Sequence, residues 1–244
     1  MPRLILASAS AARRRVLMDA GVDPVVIVSR VDEEALTAAL GAIAPAELAL
    51  VLARAKAEDV EQGIVSGRST AAEPKYPGAG GPGAVDLGAV DRDAVDRDAP
   101  DPDPDPVIVG CDSVFELDGV AYGKPLTPDV AIERITEMSG RSGLLHTGHW
   151  VIHRDRRVGR TTTTQVDFAQ MSADEIAAYV ATGEPLQVAG AFTLDGRAAP
   201  YVRGIVGDPS NVLGISLPTM RELVTQVGLS WQDLWTVTGS GAGG

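Results

Sequence analysis

The sequence has one cysteine, few aromatic residues and no long apolar run. Cys111 is the only cysteine among 244 residues, which excludes an internal disulfide and a zinc site built from several thiolates. No apolar run approaches the roughly 18 residues that are needed to span a bilayer. The apolar run at residues 4–7 is too short for the hydrophobic region of a signal peptide. These absences predict a cytoplasmic protein without a membrane anchor.

Positive charge is also scarce. The chain has 21 Lys and Arg residues against 33 Asp and Glu residues, a formal net charge of −12. A protein that binds nucleic acid along a whole face normally has a basic surface, so this balance predicts no nucleic-acid partner. The length of 244 residues allows one large domain or two small ones, with a substantial core.

Residues 66–106 differ in composition from the rest of the chain. They hold seven of the 16 prolines, nine acidic against four basic side chains, and few large apolar residues. Such a segment cannot bury enough apolar surface to offset the conformational entropy lost on ordering. The sequence therefore predicts a disordered acidic insertion at 66–106, one domain formed by residues 1–65 and 107–235, and a flexible tail at 236–244.

Outside the insertion, strand and helix signals alternate along the chain. This alternation predicts an α/β protein with helices packed on a mixed sheet. Ser10 and Pro45 mark the starts of two helices, and the Asp118-Gly119 pair predicts a hairpin turn after an apolar strand. Residues 32–34 are interpreted as a short acidic turn.

The segment after the first strand combines serine and arginine side chains. Ser8 and Ser10 lie where a strand turns into a helix, and the free N–H groups of a helix N-terminus favour an anion. Arg13, Arg14 and Arg15 follow in the first turns, so at least one of them should point back to that site. A solvated basic face with a serine cap is the alternative.

Asp112 is an acidic residue within the otherwise apolar strand VIVGCDSVF. Burying an unpaired carboxylate is costly, so a metal ion or a cationic side chain is expected beside it. Lys124 follows across the hairpin, and an ordinary salt bridge at the sheet edge is the alternative. The turn at 32–34 and Lys56 would add oxygen ligands for a divalent cation and an ammonium for phosphate oxygens, although each taken alone fits a solvent-exposed surface.

The histidines and the cysteine favour no further chemistry. His146 and His149 point to opposite faces of a strand, and His149 and His153 lie about 13 Å apart at the rise of a strand, so zinc is not expected. Cys111 faces the opposite side of its strand from Asp112. Packing in the core is therefore favoured over a nucleophilic role.

At these positions the chain resembles the Maf family of nucleoside triphosphate pyrophosphatases. The resemblance covers the chain except residues 66–106 and the tail, and it implies a two-lobed α/β fold with a nucleotide in the cleft, often as a homodimer. It also implies hydrolysis between the α- and β-phosphates, which gives a monophosphate and pyrophosphate. The matching motifs, in family order, are LASASAARRRVL, VDEEAL, LARAKA, GCDSV, GKP, SGRSGLLHTG, TGEPLQVAGAF and GDPSNVLGISLP.

The resemblance also implies roles for particular residues. Asp112 matches the family's catalytic carboxylate, and Glu33 matches the acidic residue that helps to hold a divalent ion, Mg²⁺ or Mn²⁺. Lys56 and Lys124 match the lysines that face the phosphates and complete this catalytic set. The implied substrate-binding residues are Ser8, Ser10, Arg13 and the adjacent Arg14.

Several positions depart from the family pattern. Ala12 stands where pyrimidine-preferring members have a first arginine, Ser113 replaces a common threonine, and Asp195 replaces a frequent glutamine. These three positions bear on recognition of the base. Val188 occupies a position that is commonly lysine and so removes a positive charge. The leading hypothesis is a metal-dependent nucleotide pyrophosphatase that acts on nucleoside triphosphates, and the alternative is a nucleotide-binding regulator of cell division with little turnover.

Overall fold

The computed structural model describes residues 2–67 and 105–236, so most of the predicted insertion and tail lies outside the described residues. Within these ranges one mixed sheet contains seven strands: β1 (Leu4–Leu6), β2 (Val25–Val26), β3 (Val107–Leu117), β4 (Val120–Tyr122), β5 (Ser142–His153), β6 (Arg156–Phe168) and β7 (Val202–Val206). The spatial order is β2-β1-β3-β5-β6-β7, with β4 paired to β3. β1 is parallel to β2 and β3, and the remaining pairs are antiparallel.

Seven α-helices accompany the sheet in the described ranges. They are α1 (Ala11–Asp19), α2 (Glu33–Leu40), α3 (Pro45–Val65), α4 (Pro128–Met138), α5 (Ala173–Ala181), α6 (Pro209–Val212) and α7 (Leu217–Gln226). The α/β fold with a mixed sheet is therefore confirmed, as are the helix starts at Ser10 and Pro45. Asp118 and Gly119 have φ angles of 53° and 81° in the predicted hairpin turn.

The acidic turn predicted at residues 32–34 is wrong. Asp32 is the N-cap of α2, and its side chain accepts a hydrogen bond from Ala35 N at 2.9 Å. Glu33 and Glu34 form the first turn of the helix, where the helix dipole favours negative charge. β7 was not predicted, because Arg203 and Gly204 interrupt the apolar pattern of this short strand.

Helices cover both faces of the sheet, and the strand period of two residues decides which side chains they meet. On one face of β3, Cys111 packs in a core with α1 and α7, while Phe115 packs in a second core with α4 and α5. Ser113 lies between these two residues on the same face. The face therefore carries two apolar lobes with a polar residue at their boundary, as the resemblance implies.

The opposite face of β3 is covered by α3, the longest helix of the described chain. Its backbone approaches the sheet directly above Gly110 and Gly148, where a Cβ atom would overlap the carbonyl oxygens of Ala53 and Ala49. This close packing places the middle of α3 over the centre of β3. Among the described helices, none has the length and hydrophobicity that crossing a membrane requires.

Candidate active site

The candidate site lies at a gap in the sheet. β1 ends opposite Val109 and β4 ends opposite Phe115, so residues 110–114 of β3 have no strand partner on that edge within the described chain. A cleft of about 690 Å³ opens there. Because consecutive side chains alternate between faces, Asp112 and Ser113 line the cleft from opposite faces of the sheet.

Lys56, Glu33 and Asp112 form one charged cluster on the α3 side of the cleft. Lys56 Nζ lies 2.9 Å from Glu33 Oε1 and donates a hydrogen bond to Asp112 Oδ1. The Lys56 and Asp112 side chains are only 8% and 10% exposed, whereas that of Glu33 is 40% exposed. The cation expected beside Asp112 is therefore Lys56, and Asp112 Oδ2 accepts no hydrogen bond from the described residues.

Three elements bring this cluster together. Glu33 is the first residue of α2, and its carboxylate lies near the N-terminus of that helix. Lys56 is on the buried side of α3 beside Ala53 and Ala57, which contact the sheet at Gly110. The cluster therefore depends on the absence of a side chain at position 110.

The two carboxyl groups have pKa shifts of opposite direction. Burial raises the pKa of Asp112 and Glu33 adds to this rise, while the nearby charges of Lys56 and Arg13 offset only part of it. For Glu33, burial is the largest single influence and raises the pKa, but the charge and hydrogen bond of Lys56 together with the charges of Lys124 and Arg13 outweigh it, so the net shift is downward. Asp112 is thus the stronger base of the pair, and Glu33 the more firmly ionised group.

Arg13 joins three walls of the cleft. Its Nε donates a hydrogen bond to Gly214 O at 2.7 Å. Its Nη1 donates to Ser8 Oγ and Cys111 O, both at 2.9 Å, and its Nη2 donates to Ser113 Oγ at 3.0 Å. A guanidinium has five N–H bonds, so only one remains unused. The buried Arg13 therefore links the β1–α1 turn, β3 and the loop after α6, with little capacity left for a ligand.

We predict that replacing Arg13 by lysine lowers kcat about tenfold and the free energy of unfolding by about 2 kcal/mol, because one ammonium cannot reach four acceptors on three segments. Steady-state kinetics and urea unfolding measure both effects. Arg14→Lys is the matched control, since Arg14 pairs with Asp23 at 3.5 Å near the surface. If the lysine at position 13 preserved kcat and stability as well as the control does, Arg13 would act only as a charge.

The other predicted residues of this N-terminal segment differ in where they lie relative to the cleft. Ser10 caps α1, and its Oγ accepts a hydrogen bond from Arg13 N at 3.4 Å. Arg15 lines the cleft, whereas Arg14 is absent from its walls and lies beside Asp23. Successive residues of a helix point about 100° apart, so the three arginines cannot share one direction. The position of Arg14 does not favour the substrate-binding role implied for it.

The family model described as Maf-like protein matches residues 3–227, which is most of the chain. The chain belongs to the Maf-like protein family. A Streptomyces coelicolor relative named nucleoside triphosphate pyrophosphatase is 46% identical over 235 residues, covering 96% of this chain and 94% of its own. Relatives with the same name from Rhodococcus opacus and Mycobacterium marinum are 45% and 42% identical, over 99% and 96% of this chain and 100% and 97% of their own.

Lys124 and the four positions that depart from the family pattern all lie in the cleft of this Maf-like protein. Lys124 follows β4, on the segment that enters the gap from the side opposite β1. The departing residues lie on the other walls and are Ala12, Ser113, Val188 and Asp195. The structure thus brings together every predicted site residue except Arg14.

Sequence reasoning missed several polar residues of the site. Gln187 and Thr193 line the wall that follows α5. Asn211 is fully buried, and its Nδ2 donates hydrogen bonds to Leu145 O at 3.2 Å and Thr164 Oγ1 at 3.1 Å. The contacts of Asn211 join segments far apart in sequence. The short segments that carry Gln187, Thr193 and Asn211 have no periodic pattern. The signal that was present is the resemblance: Gln187 and Asn211 lie within the matching motifs TGEPLQVAGAF and GDPSNVLGISLP, and Thr193 directly follows the first of them.

His146, His149 and Cys111 are buried residues that contribute to packing and internal contacts of the fold. His146 contacts Glu116 Oε2 at 2.8 Å, and His149 Nε2 accepts a hydrogen bond from Ser216 N at 2.8 Å. Burial lowers the pKa of His149 to about 4, so its ring is neutral at pH 7. Cys111 is fully buried, and burial raises the pKa of its thiol to about 11, as expected for a thiol that packs in the core.

Proposed function

We propose that this chain hydrolyses nucleoside triphosphates between the α- and β-phosphates and releases a monophosphate and pyrophosphate. The observation that carries the proposal is the Lys56-bridged pair of Glu33 and Asp112 in a cleft that also holds Lys124. The relatives named nucleoside triphosphate pyrophosphatase support the same activity. A cleft of about 690 Å³ is also within the size range of small-molecule sites.

The charges of the cleft favour a phosphate chain that arrives with a metal ion. The cleft is lined by four cationic and three anionic side chains, so its excess of positive charge is small for binding a polyanion. The cationic side chains are Arg13, Arg15, Lys56 and Lys124, and the anionic ones are Glu33, Asp112 and Asp195. Additional positive charge is therefore needed when a triphosphate binds. A divalent ion, when bound, would supply it.

The carboxylates of Glu33 and Asp112 fit a hard cation such as Mg²⁺ or Mn²⁺. Both groups offer oxygen ligands, and each has one oxygen that is not the one bound by Lys56. No group of three or more metal-binding side chains was found in the described residues. Mg²⁺ is commonly held in this way, by one or two carboxylates together with substrate phosphates. When bound, the ion would polarise the phosphoryl group under attack.

Asp112 then acts as the general base. We expect its Oδ2 to accept a proton from the attacking water, while Lys56 holds the other oxygen and fixes the orientation of the carboxylate. The water oxygen forms a bond to the α-phosphorus, and the bond from that phosphorus to the bridging oxygen breaks. Pyrophosphate leaves with the electron pair. We expect Lys124, which lines the cleft, to stabilise the charge that develops on the phosphate oxygens.

Hydrolysis in ¹⁸O-labelled water tests this proposal. We expect ³¹P NMR to show monophosphate and pyrophosphate as the only products, with the label in the monophosphate, and EDTA to abolish turnover until Mg²⁺ or Mn²⁺ is restored. Release of inorganic phosphate and a diphosphate would contradict cleavage between the α- and β-phosphates, and activity that resists EDTA would contradict the metal requirement. Nucleotide binding without any turnover would instead favour the regulator.

A further inference from the structure

The cleft has a charged part and an apolar part. The charged part contains the Lys56 cluster and Lys124, and the apolar part lies on the other face of β3, beyond Ser113. Its apolar side chains are Leu145, Phe192, Leu194, Val212 and Leu213. If the phosphates lie at the charged part, as the proposed function requires, the flat face of the base packs in the apolar part. The polar groups there then meet the edge of the base.

The hydroxyl of Ser113 has no hydrogen left to donate to a ligand. Thr147 Oγ1 donates its single hydrogen to Asn211 O at 3.3 Å, so the hydrogen in its 3.0 Å contact with Ser113 Oγ belongs to Ser113. Arg13 Nη2 donates to Ser113 Oγ at 3.0 Å and occupies one of its two lone pairs. Toward the cleft Ser113 can therefore only accept a hydrogen bond.

The wall that carries Gln187, Thr193 and Asp195 also presents hydrogen-bond acceptors to the cleft. Thr193 Oγ1 donates its hydrogen to Glu184 Oε1, which also accepts a hydrogen bond from Arg197 N at 2.8 Å. In the sequence, Asp195 stands between Thr193 and Arg197. Its side chain is exposed and forms no ion pair with any described residue. A carboxylate is an acceptor only, and a threonine that has donated its hydrogen keeps only lone pairs. Gln187 can present either group of its amide and favours neither kind of edge.

From these hydrogen-bond directions we infer that the site selects bases whose edge presents an exocyclic amino donor. Cytosine, adenine and guanine carry an amino group, whereas uracil and thymine present a carbonyl oxygen at the position where cytosine has its amino group. Hypoxanthine lacks the 2-amino group of guanine. An acceptor facing Ser113, Thr193 or Asp195 would leave both groups unpaired, which sites built for a donor reject strongly. The inference rests on the proposed function for the direction in which the nucleotide lies.

Two matched pairs of nucleotides test the inference. We expect kcat/KM to be about tenfold or more higher for CTP than for UTP, and for GTP than for ITP, since each pair differs at a donor group. The corresponding monophosphates, titrated by calorimetry, should give the same order in affinity without any turnover. Asp195→Asn, which replaces an acceptor by an amide that can donate, should reduce both preferences. Asp155→Asn, on the distant β5–β6 turn, is the matched control and should keep them.

The outcomes separate this inference from the proposed function. Hydrolysis of UTP and ITP as fast as of CTP and GTP would overturn the base selection and leave the pyrophosphatase in place. If no triphosphate is hydrolysed, the proposed function fails, and the order of the monophosphate affinities still decides the selection. If the wild type hydrolyses UTP more slowly than CTP and Asp195→Asn keeps the same preference, Asp195 has no part in the selection. That result would contradict a site in which both walls present acceptors to the base.

Discussion

Replacing Asp112 by asparagine is expected to lower kcat by about 100-fold or more, because the amide has nearly the same shape but cannot take the proton of the attacking water. The side chain is buried, and its Oδ2 is the carboxylate oxygen that Lys56 leaves open. Lys56 keeps its 2.9 Å contact with Glu33, so its charge is not left without a partner. The fold should therefore survive the substitution.

The measurement compares pyrophosphate release by Asp112→Asn with that by Asp155→Asn, an exchange of the same kind on an exposed turn where asparagine is well tolerated. Circular dichroism and urea unfolding verify that both variants are folded. A kcat within threefold of the wild type would rule out Asp112 as the base. An activity restored by raised Mn²⁺ concentration would instead indicate that the carboxylate serves mainly to hold the ion.

The cationic partner of Asp112 was expected from the sequence, but its identity was not. A carboxylate among apolar strand residues implies a partner on energetic grounds, and Lys124 was the near candidate in sequence. The partner is Lys56, 56 positions earlier, because α3 packs against the same strand. That packing is a tertiary property. It depends on small residues on two elements, which a pattern along one element does not reveal.

The orientation of the arginine run could have been deduced more closely than it was. Val16 and Leu17 are the apolar residues that α1 buries, and Arg13 stands three and four positions before them on the same helix face. This spacing identifies Arg13 as the buried member of the run. Three of its four acceptors could not be deduced, because Gly214, Cys111 and Ser113 belong to segments far away in sequence.

Residues 32–34, predicted as a turn, could have been recognised as a helix start from the local sequence. Asp32 followed by two glutamates has the composition of a helix start, with a side chain that caps Ala35 N and acidic residues in the first turn. The helix that follows has no buried residue, so its apolar period gave little support. Correct assignment matters for the site because it fixes Glu33 at the first position of α2.

Replacing Gly110 by alanine is expected to destabilise the protein by about 3 kcal/mol or more, as overpacking against a rigid backbone does in the severe cases. The new Cβ would overlap the carbonyl oxygen of Ala53 and would lie 2.9 Å from both N and Cβ of Ala57. Neither neighbour is the flexible end of a side chain. The sheet and α3 would therefore have to move apart by about 1 Å to restore normal contact distances.

The same movement should impair the site in whatever protein remains folded. Lys56 lies on α3 between the two alanines, so separation of the helix from β3 lengthens its contact with Asp112. We expect at least a tenfold loss of kcat in the folded fraction, since small misplacements of catalytic groups have effects of this size. Gly204→Ala is the control, because a Cβ there meets only Asp167 Oδ2 at 3.4 Å. Urea unfolding and pyrophosphate release measure the two effects, and a Gly110→Ala variant that matched the control in both would refute the argument that this close packing builds the site.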